Sequence, residues 1–142
     1  MAENRQPILV TQGSVFLDGV KVMDSVSFTL KFTPKIWEGT QLGDFTSSSR
    51  WVNGKITGTL VERRSTAWLK NAVRKYLDSG ATPEFTLQGV SSDRNSDYFR
   101  AYGTHTVTAV GCVLTGDINL LELDTNGDVV QDSIAFNAHN MV

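Results

Sequence analysis

The sequence predicts a mainly β protein, an antiparallel β-sandwich or partly open β-barrel with one flanking α-helix. Three observations carry that expectation. Asp24–Lys35, DSVSFTLKFTPK, alternates strictly: Val26, Phe28, Leu30 and Phe32 point one way and Ser25, Ser27, Thr29, Lys31 and Thr33 the other, the period of a half-buried strand. Asp18-Gly19 lies between short apolar runs, a strong tight-hairpin signal. Only Ser65–Ser79 carries a convincing helical period, so runs of strands flank a single helix.

A chain of 142 residues fits one domain, since domains cluster at about 100–150 residues. With 40% hydrophobic and 20% charged residues, neither disorder nor a fibrous repeat is expected. The net charge of −2 argues against general affinity for DNA or anionic membranes, which requires basic clusters. The apolar run in MAENRQPILVTQG is too short for a signal peptide, whose core needs about 7–15 residues, and no stretch reaches the roughly 20 that cross a bilayer. Synthesis in a cytoplasm is therefore expected. A single cysteine, Cys112, excludes an internal disulfide and a cysteine-based zinc site, and in TAVGCVLTG it reads as a small core residue.

Taken in order, the first strand is expected over Ser14–Leu17. The second is expected to run from Val20 through the alternating stretch and to end near Pro34, which lacks the N–H of a central ladder. Ile36–Gly54 has no clean period and reads as a long loop. Its Trp37, Leu42, Phe45 and Trp51 suit docking onto a partner, because aromatic anchors concentrate interface energy. Lys55, Thr57 and Thr59 then alternate with Ile56, Gly58 and Leu60, a second hydroxyl-faced strand that pairs with the first.

The helix 65–79 takes Ser65 or Thr66 as its N-terminal cap and Gly80 as its stop, with Trp68, Leu69, Ala72, Val73, Tyr76 and Leu77 on one apolar face. Strands are expected again in EFTLQGV, in DYFRAYGTHTVTAVGCVL and in INLLELDTNGDVVQDSIAFNAHNMV, the last with a turn at Asn126-Gly127.

No motif carries chemistry. DTNGD has its glycine at the wrong position for a calcium loop and is flanked by strands. His105 and His139 have no nucleophile or metal partner at a recognisable spacing, and no G-x-S-x-G or phosphate-binding glycine loop occurs. No enzyme activity, cofactor or metal is expected. The alternative functional reading is a monomeric β-sandwich carbohydrate- or ligand-binding module using Trp37 and Trp51 as an aromatic platform.

The order GSVFLDG, long alternating strand, extended loop ending in NGKITGTLV, helix STAWLKNAVRKYLDSG and PEFTLQGV resembles the tail tube proteins of contractile phage-like particles, the PBSX-type core-tail family, including R-type bacteriocin tubes of the diffocin kind. The resemblance implies a single tail-tube-like domain over 1–142, with an N-terminal arm at 1–13. It implies hexameric rings stacked into a tube, in which a long hairpin from each subunit contributes to a continuous inner β-barrel. Ser25, Ser27, Thr29, Lys31, Thr33, Lys55, Thr57 and Thr59 would then line the bore. The loop 36–54 would bridge rings through Trp37, Leu42, Phe45 and Trp51, and Ile8, Leu9 and Val10 of the arm would make further subunit contacts. The implied partners are further copies of the chain, a sheath protein, and baseplate or initiator and tape-measure proteins, with no membrane in the resting particle. The implied location is a tail or tail-like particle released from the cell. Family tubes that pass DNA tend to have an acidic bore; with Lys31, Lys55 and no carboxylate on the expected lining, passage of nucleic acid is not expected.

Overall fold

The structure, a computed structural model, describes residues 4–142; the first three residues of the expected arm lie outside it. β1 (Gly13–Leu17) and β2 (Val20–Lys21) are joined at Asp18-Gly19, where φ is 49° and 87°. Both central residues thus take the left-handed values that a tight hairpin turn of matching twist requires. Asp18 also receives the backbone N–H of Thr86 on its Oδ1, at 2.8 Å, tying the turn to a neighbouring strand.

The second strand does not run on as expected. After β2 the chain pivots at Val22–Asp24 and starts β3 (Ser25–Gly39) against a different neighbour. The pivot is held by Val22 N–H donating to Val15 O, Ser25 Oγ donating to Val22 O, and Arg63 N–H donating to Asp24 O. One straight strand cannot lie beside β1 and also beside β4 (Ser48–Arg63), the partner of β3 throughout.

Nor does β3 stop at Pro34. It continues to Gly39, and β4 begins at Ser48, so most of the expected loop 36–54 is strand and only residues 40–47 connect the two. Among the described residues β3 has a neighbour on one side only, and a proline is tolerated on such an edge where an N–H would face water.

α1 (Trp68–Ser79) starts three residues later than 65. Its capping position is Ala67, without a side-chain bond, because Ser65 instead donates its hydroxyl to Asp24. Gly80 closes it in the left-handed conformation at φ 74°. Leu69 and Ala72 are buried, whereas Tyr76 and Leu77 are exposed. The apolar face therefore outruns the surface it rests on.

β5 (Phe85–Ser91) is followed by α2 (Asp97–Tyr102), where a strand was expected. Ser96, buried, decides this: its hydroxyl accepts from Phe99 N–H at 3.1 Å and donates to Asp93 O at 2.7 Å, a capped helix start. β6 (His105–Leu114), β7 (Gln131–Ala138) and β8 (Asn140–Met141) complete the chain. The expected strand beginning at Ile118 is an irregular connection up to Val130, and its turn is built by Asp124, which accepts from Asn126 N–H.

Neighbouring strands are all antiparallel, in the order β2-β1-β5-β6-β7-β4-β3, with β8 added to β6. β6 pairs with β5 up to Cys112 and with β7 from Val113, turning at Gly111, whose φ is 66°. That bend wraps the sheet around Val15, Leu60, Leu69, Leu87, Ala109, Cys112, Ile134 and Phe136. The wrap does not close. β1 and β3 approach without pairing, leaving a cleft bordered by Ile8, Val15, Phe28 and Gly89.

Beneath α1, the indole N–H of Trp68 donates to Glu62 Oε1 at 2.8 Å and its ring meets Phe85 edge-on at 5.4 Å. Burial raises the Glu62 carboxyl above its ordinary pKa, against the lowering effect of the Trp68 bond. Folding therefore takes up a proton between the ordinary and the raised value, and Glu62's contribution to stability is lost as pH rises through that window. Glu62→Gln keeps the acceptor without the charge. It is expected to unfold at higher urea than wild type near about pH 7, with the difference shrinking towards about pH 4. Trp68→Ala is expected to cost about 3 kcal/mol in the same measurement.

Candidate functional site

The β3–β4 ladder places residues directly opposite one another as Thr29↔Thr59, Lys31↔Thr57 and Thr33↔Lys55, with Ser27 facing Val61. Six of the hydroxyl and lysine side chains expected together therefore form one cross-strand row. On the other side run Phe28↔Leu60, Leu30↔Gly58 and Phe32↔Ile56. Leu60 is fully buried and Phe28 stacks on Phe136 at 6.0 Å, which makes this side the core side.

Ser25 leaves the hydroxyl row. A bulge at Val26 sets Ser25 opposite the buried Glu62, on the core side, and turns Val26 outward to 47% exposure. An extra residue in one strand shifts everything beyond it to the other face.

Two glycines hold the register. A Cβ at Gly58 would lie 2.5 Å from the Phe136 ring and 2.6 Å from Thr29 O, and one at Gly54 would lie 2.2 Å from the Phe32 ring. The far end of each aromatic ring takes the space a side chain at the glycine would need.

β7 covers β4 only from Ile56 to Arg63. The distal half of the hairpin, Thr33–Gly39 against Ser48–Lys55, has no third strand among the described residues and projects from the body with both edges free. It keeps two distinct faces. Phe32, Ile36 and Trp51 lie on the continuation of the core side, about half exposed, with the Phe32 and Trp51 rings 5.5 Å apart. Lys35 and the pair Trp37↔Arg50 continue the hydroxyl side, joining Lys31 and Lys55. Among the described residues none of these four cations is within ion-pair distance of a carboxylate. At the tip Leu42 and Phe45 are fully exposed, and Trp37, Arg50, Trp51 and Val52 border a shallow hollow. Ile36, Lys35 and Arg50 were not singled out from the sequence. Carrying the alternation through Pro34 finds the first two; Arg50 needs the second bulge, at Val52.

The arm residues lie elsewhere, beside the base of β3. Ile8 is half-buried in the cleft, whereas Leu9 and Val10 are exposed. The arm is tied to its own subunit: Leu9 N–H donates to Asp93 Oδ2 at 3.2 Å, Gln6 N–H to Asp97 Oδ2 at 3.0 Å, and Asp97 N–H to Gln6 O at 2.8 Å. His105 Nδ1 is 3.1 Å from the Tyr98 hydroxyl. Among the described residues no cluster of three His, Cys, Asp or Glu side chains could hold a metal, and no helix is long and apolar enough to cross a membrane.

Among the described residues a strand of 15 residues has one side unpaired along its length, an open edge of the kind that can template pairing with another chain. The fold is thus a mainly β one with an open sheet edge. The chain belongs to the phage tail tube protein family, whose model matches residues 1–141.

Solved structures share the fold at low identity. One is a chain of the sheath–tube complex of the extracellular contractile injection system PVC in its extended state, with TM-score 0.64, 12% identity, and coverage of 96% of this chain and 90% of that one. Another belongs to the PVC sheath/tube terminator, at TM-score 0.66 and 13% identity over 99% and 98%. A third comes from the baseplate of the anti-feeding prophage AFP, at 0.58 and 10% over 100% and 94%. No curated protein sequence matches the chain significantly. The family is one of structural tube proteins, which favours a tube subunit over the sugar-binding alternative; the Trp51 ring of that supposed platform is already engaged by Phe32.

Gly58→Val is expected to lower stability by about 1–3 kcal/mol, because the new side chain meets backbone as well as the Phe136 ring. The shift in urea midpoint of the isolated subunit measures it.

Proposed function

We propose that the chain is the inner-tube subunit of a contractile phage tail or R-type bacteriocin, assembling as stacked hexameric rings that are driven through a target envelope when a surrounding sheath contracts. The observation that carries this reading is the free outer edge of β3 on a hairpin whose two faces differ in chemistry. Pairing that edge with the next copy extends the sheet around a ring and leaves no edge once the ring closes. A closed cylinder of roughly sixteen or more strands encloses water. In it, Ser27, Thr29, Lys31, Thr33, Lys55, Thr57 and Thr59 are the bore lining, where short hydroxyls stay hydrated without obstructing the channel. Ser25 is omitted because its register partner is Glu62.

The subunit's task is cohesion. Its partners are further copies of itself, a sheath protein, baseplate or initiator proteins and a tape-measure protein, in a particle assembled in the producing cell and released from it. The arm residues Ile8, Leu9 and Val10 add contacts between subunits, and Trp37, Leu42, Phe45 and Trp51 contacts between rings. Lys31 and Lys55 on the lining, with no carboxylate beside them, suit a bore not specialised for passing DNA; DNA ejected through particles built on this subunit would refute that part.

Thr29→Cys tests the lining, since Cys112 is buried. In tubes, the new thiol should react with a small maleimide and be shielded from a bulky polymer-linked one, whereas in the monomer both react. Equal labelling of tubes by the bulky reagent would remove the assignment. Trp51→Ala is expected to leave the monomer folded and to shorten tubes in negative-stain micrographs, an anchor of this kind being worth about 2 kcal/mol.

A further inference from the structure

The base of the β3–β4 ladder gathers three carboxylates around one guanidinium. Glu62 and Asp132 stand directly opposite each other on β4 and β7, both 5% exposed. Residues paired in this way share a face with Cβ atoms about 5 Å apart, where like charges repel. Asp24, half-buried on the pivot before β3, is the third carboxylate and accepts the Ser65 hydroxyl.

Arg64 is directed elsewhere than Glu62. It donates to both oxygens of Asp132, at 2.9 and 2.8 Å, to Leu120 O at 3.1 Å and to Asn119 O, which engages all but one of the N–H groups of a guanidinium. Among the described residues the hydrogen-bond donor to the Glu62 side chain is a neutral one, the Trp68 indole N–H at 2.8 Å. Burial pushes the Glu62 carboxyl up, and Asp132 and Asp24 add to the effect.

That donor belongs to the anchor of a helix. Trp68 opens α1 and its ring meets Phe85 edge-on at 5.4 Å, whereas Ala67 before it supplies no side-chain cap. The start of α1 is thus held by the indole and by the buried Leu69 rather than by capping. An ionised Glu62 gains by reaching water, away from Asp132 and Asp24. A carboxylate that turns outward releases the indole.

We propose that Glu62 is a proton-operated latch for α1. Neutral, it holds the indole of Trp68 and seats the helix start on the sheet; ionised, it turns to solvent and the first turn of α1 lifts while the sheet stays folded. The sign follows from linkage: a carboxyl raised in the folded state contributes its stabilisation in full below its ordinary pKa and loses it as pH rises through the raised one, so opening grows with pH. The Arg64–Asp132 pair, one charge of each sign, keeps the β6–β7 connection in place in both states. The latch needs no second copy and stands apart from the tube reading.

Trp37→Phe with Trp51→Phe, both exposed on the hairpin, leaves Trp68 as the sole tryptophan of the three. In that chain acrylamide quenching of Trp68 should rise about twofold or more from about pH 5 to about pH 8, with the far-ultraviolet circular dichroism unchanged. Adding Glu62→Gln, which keeps an acceptor and cannot ionise, should hold quenching at its low-pH level throughout. Glu62→Ala, which removes the acceptor, should hold it at the high-pH level. Quenching that is flat with pH in the parent chain, or that rises equally with Glu62→Gln, overturns the latch. So does a rise that comes with loss of the sheet signal, which marks global unfolding.

Discussion

The structure depends on the register of one antiparallel ladder. With Thr29 opposite Thr59, every hydroxyl and lysine of the regular section falls on one face and every large apolar side chain except Val61 on the other. A slip by one residue would exchange the two faces along the whole section. Three aromatic rings oppose such a slip: Phe32 over Gly54, Phe136 over Gly58, and Phe28, which reaches across the open cleft to within 3.0 Å of where a Cβ on Gly89 would stand. The bulges at Val26 and Val52 bound the regular section, so the mismatches are absorbed outside it.

The two ends of that ladder are built differently. At the base, Glu62, Arg64 and Asp132 sit among the core strands with bonds to Trp68, to each other and to the β6–β7 connection. A buried carboxylate with a raised pKa is not an optimal stabiliser, but here its partner is the indole that anchors α1. Among the described residues no third strand, helix or ion pair supports the distal end of the hairpin, and apolar side chains stand in water on both faces. The projection is the part of the subunit that its own described residues leave without support.

The free lateral edge of β3 and the unsupported far end of the hairpin are separate features, the first set by strand order and the second by where β7 stops. The N-terminal arm belongs to neither; Asp93 and Asp97 hold it beside the base of β3, at the border of the cleft that the sheet leaves open.

Side-chain chemistry at short range was legible in the residues themselves. Period two marks the hydroxyl face of β3 and β4, Asp18-Gly19 marks the first turn, and Gly80 marks the end of α1, because each depends only on local backbone preferences. Decisions that depend on a distant partner were not legible. Pro34 reads as a stop until β3 is known to be an edge. Val26 looks like an ordinary member of a strand until its partner strand counts one residue fewer. Ile118–Leu123 alternates poorly and has leucines enough for a strand, yet Arg64, far away in the chain, takes two of its carbonyls and keeps it irregular. By itself the sequence determined which face of the hairpin is polar and that the domain is β with a flanking helix; only the tertiary structure decided how far the hairpin projects, which residues stand at each end and that Ser25 turns inward, since those outcomes are set by pairing between segments that no local pattern encodes.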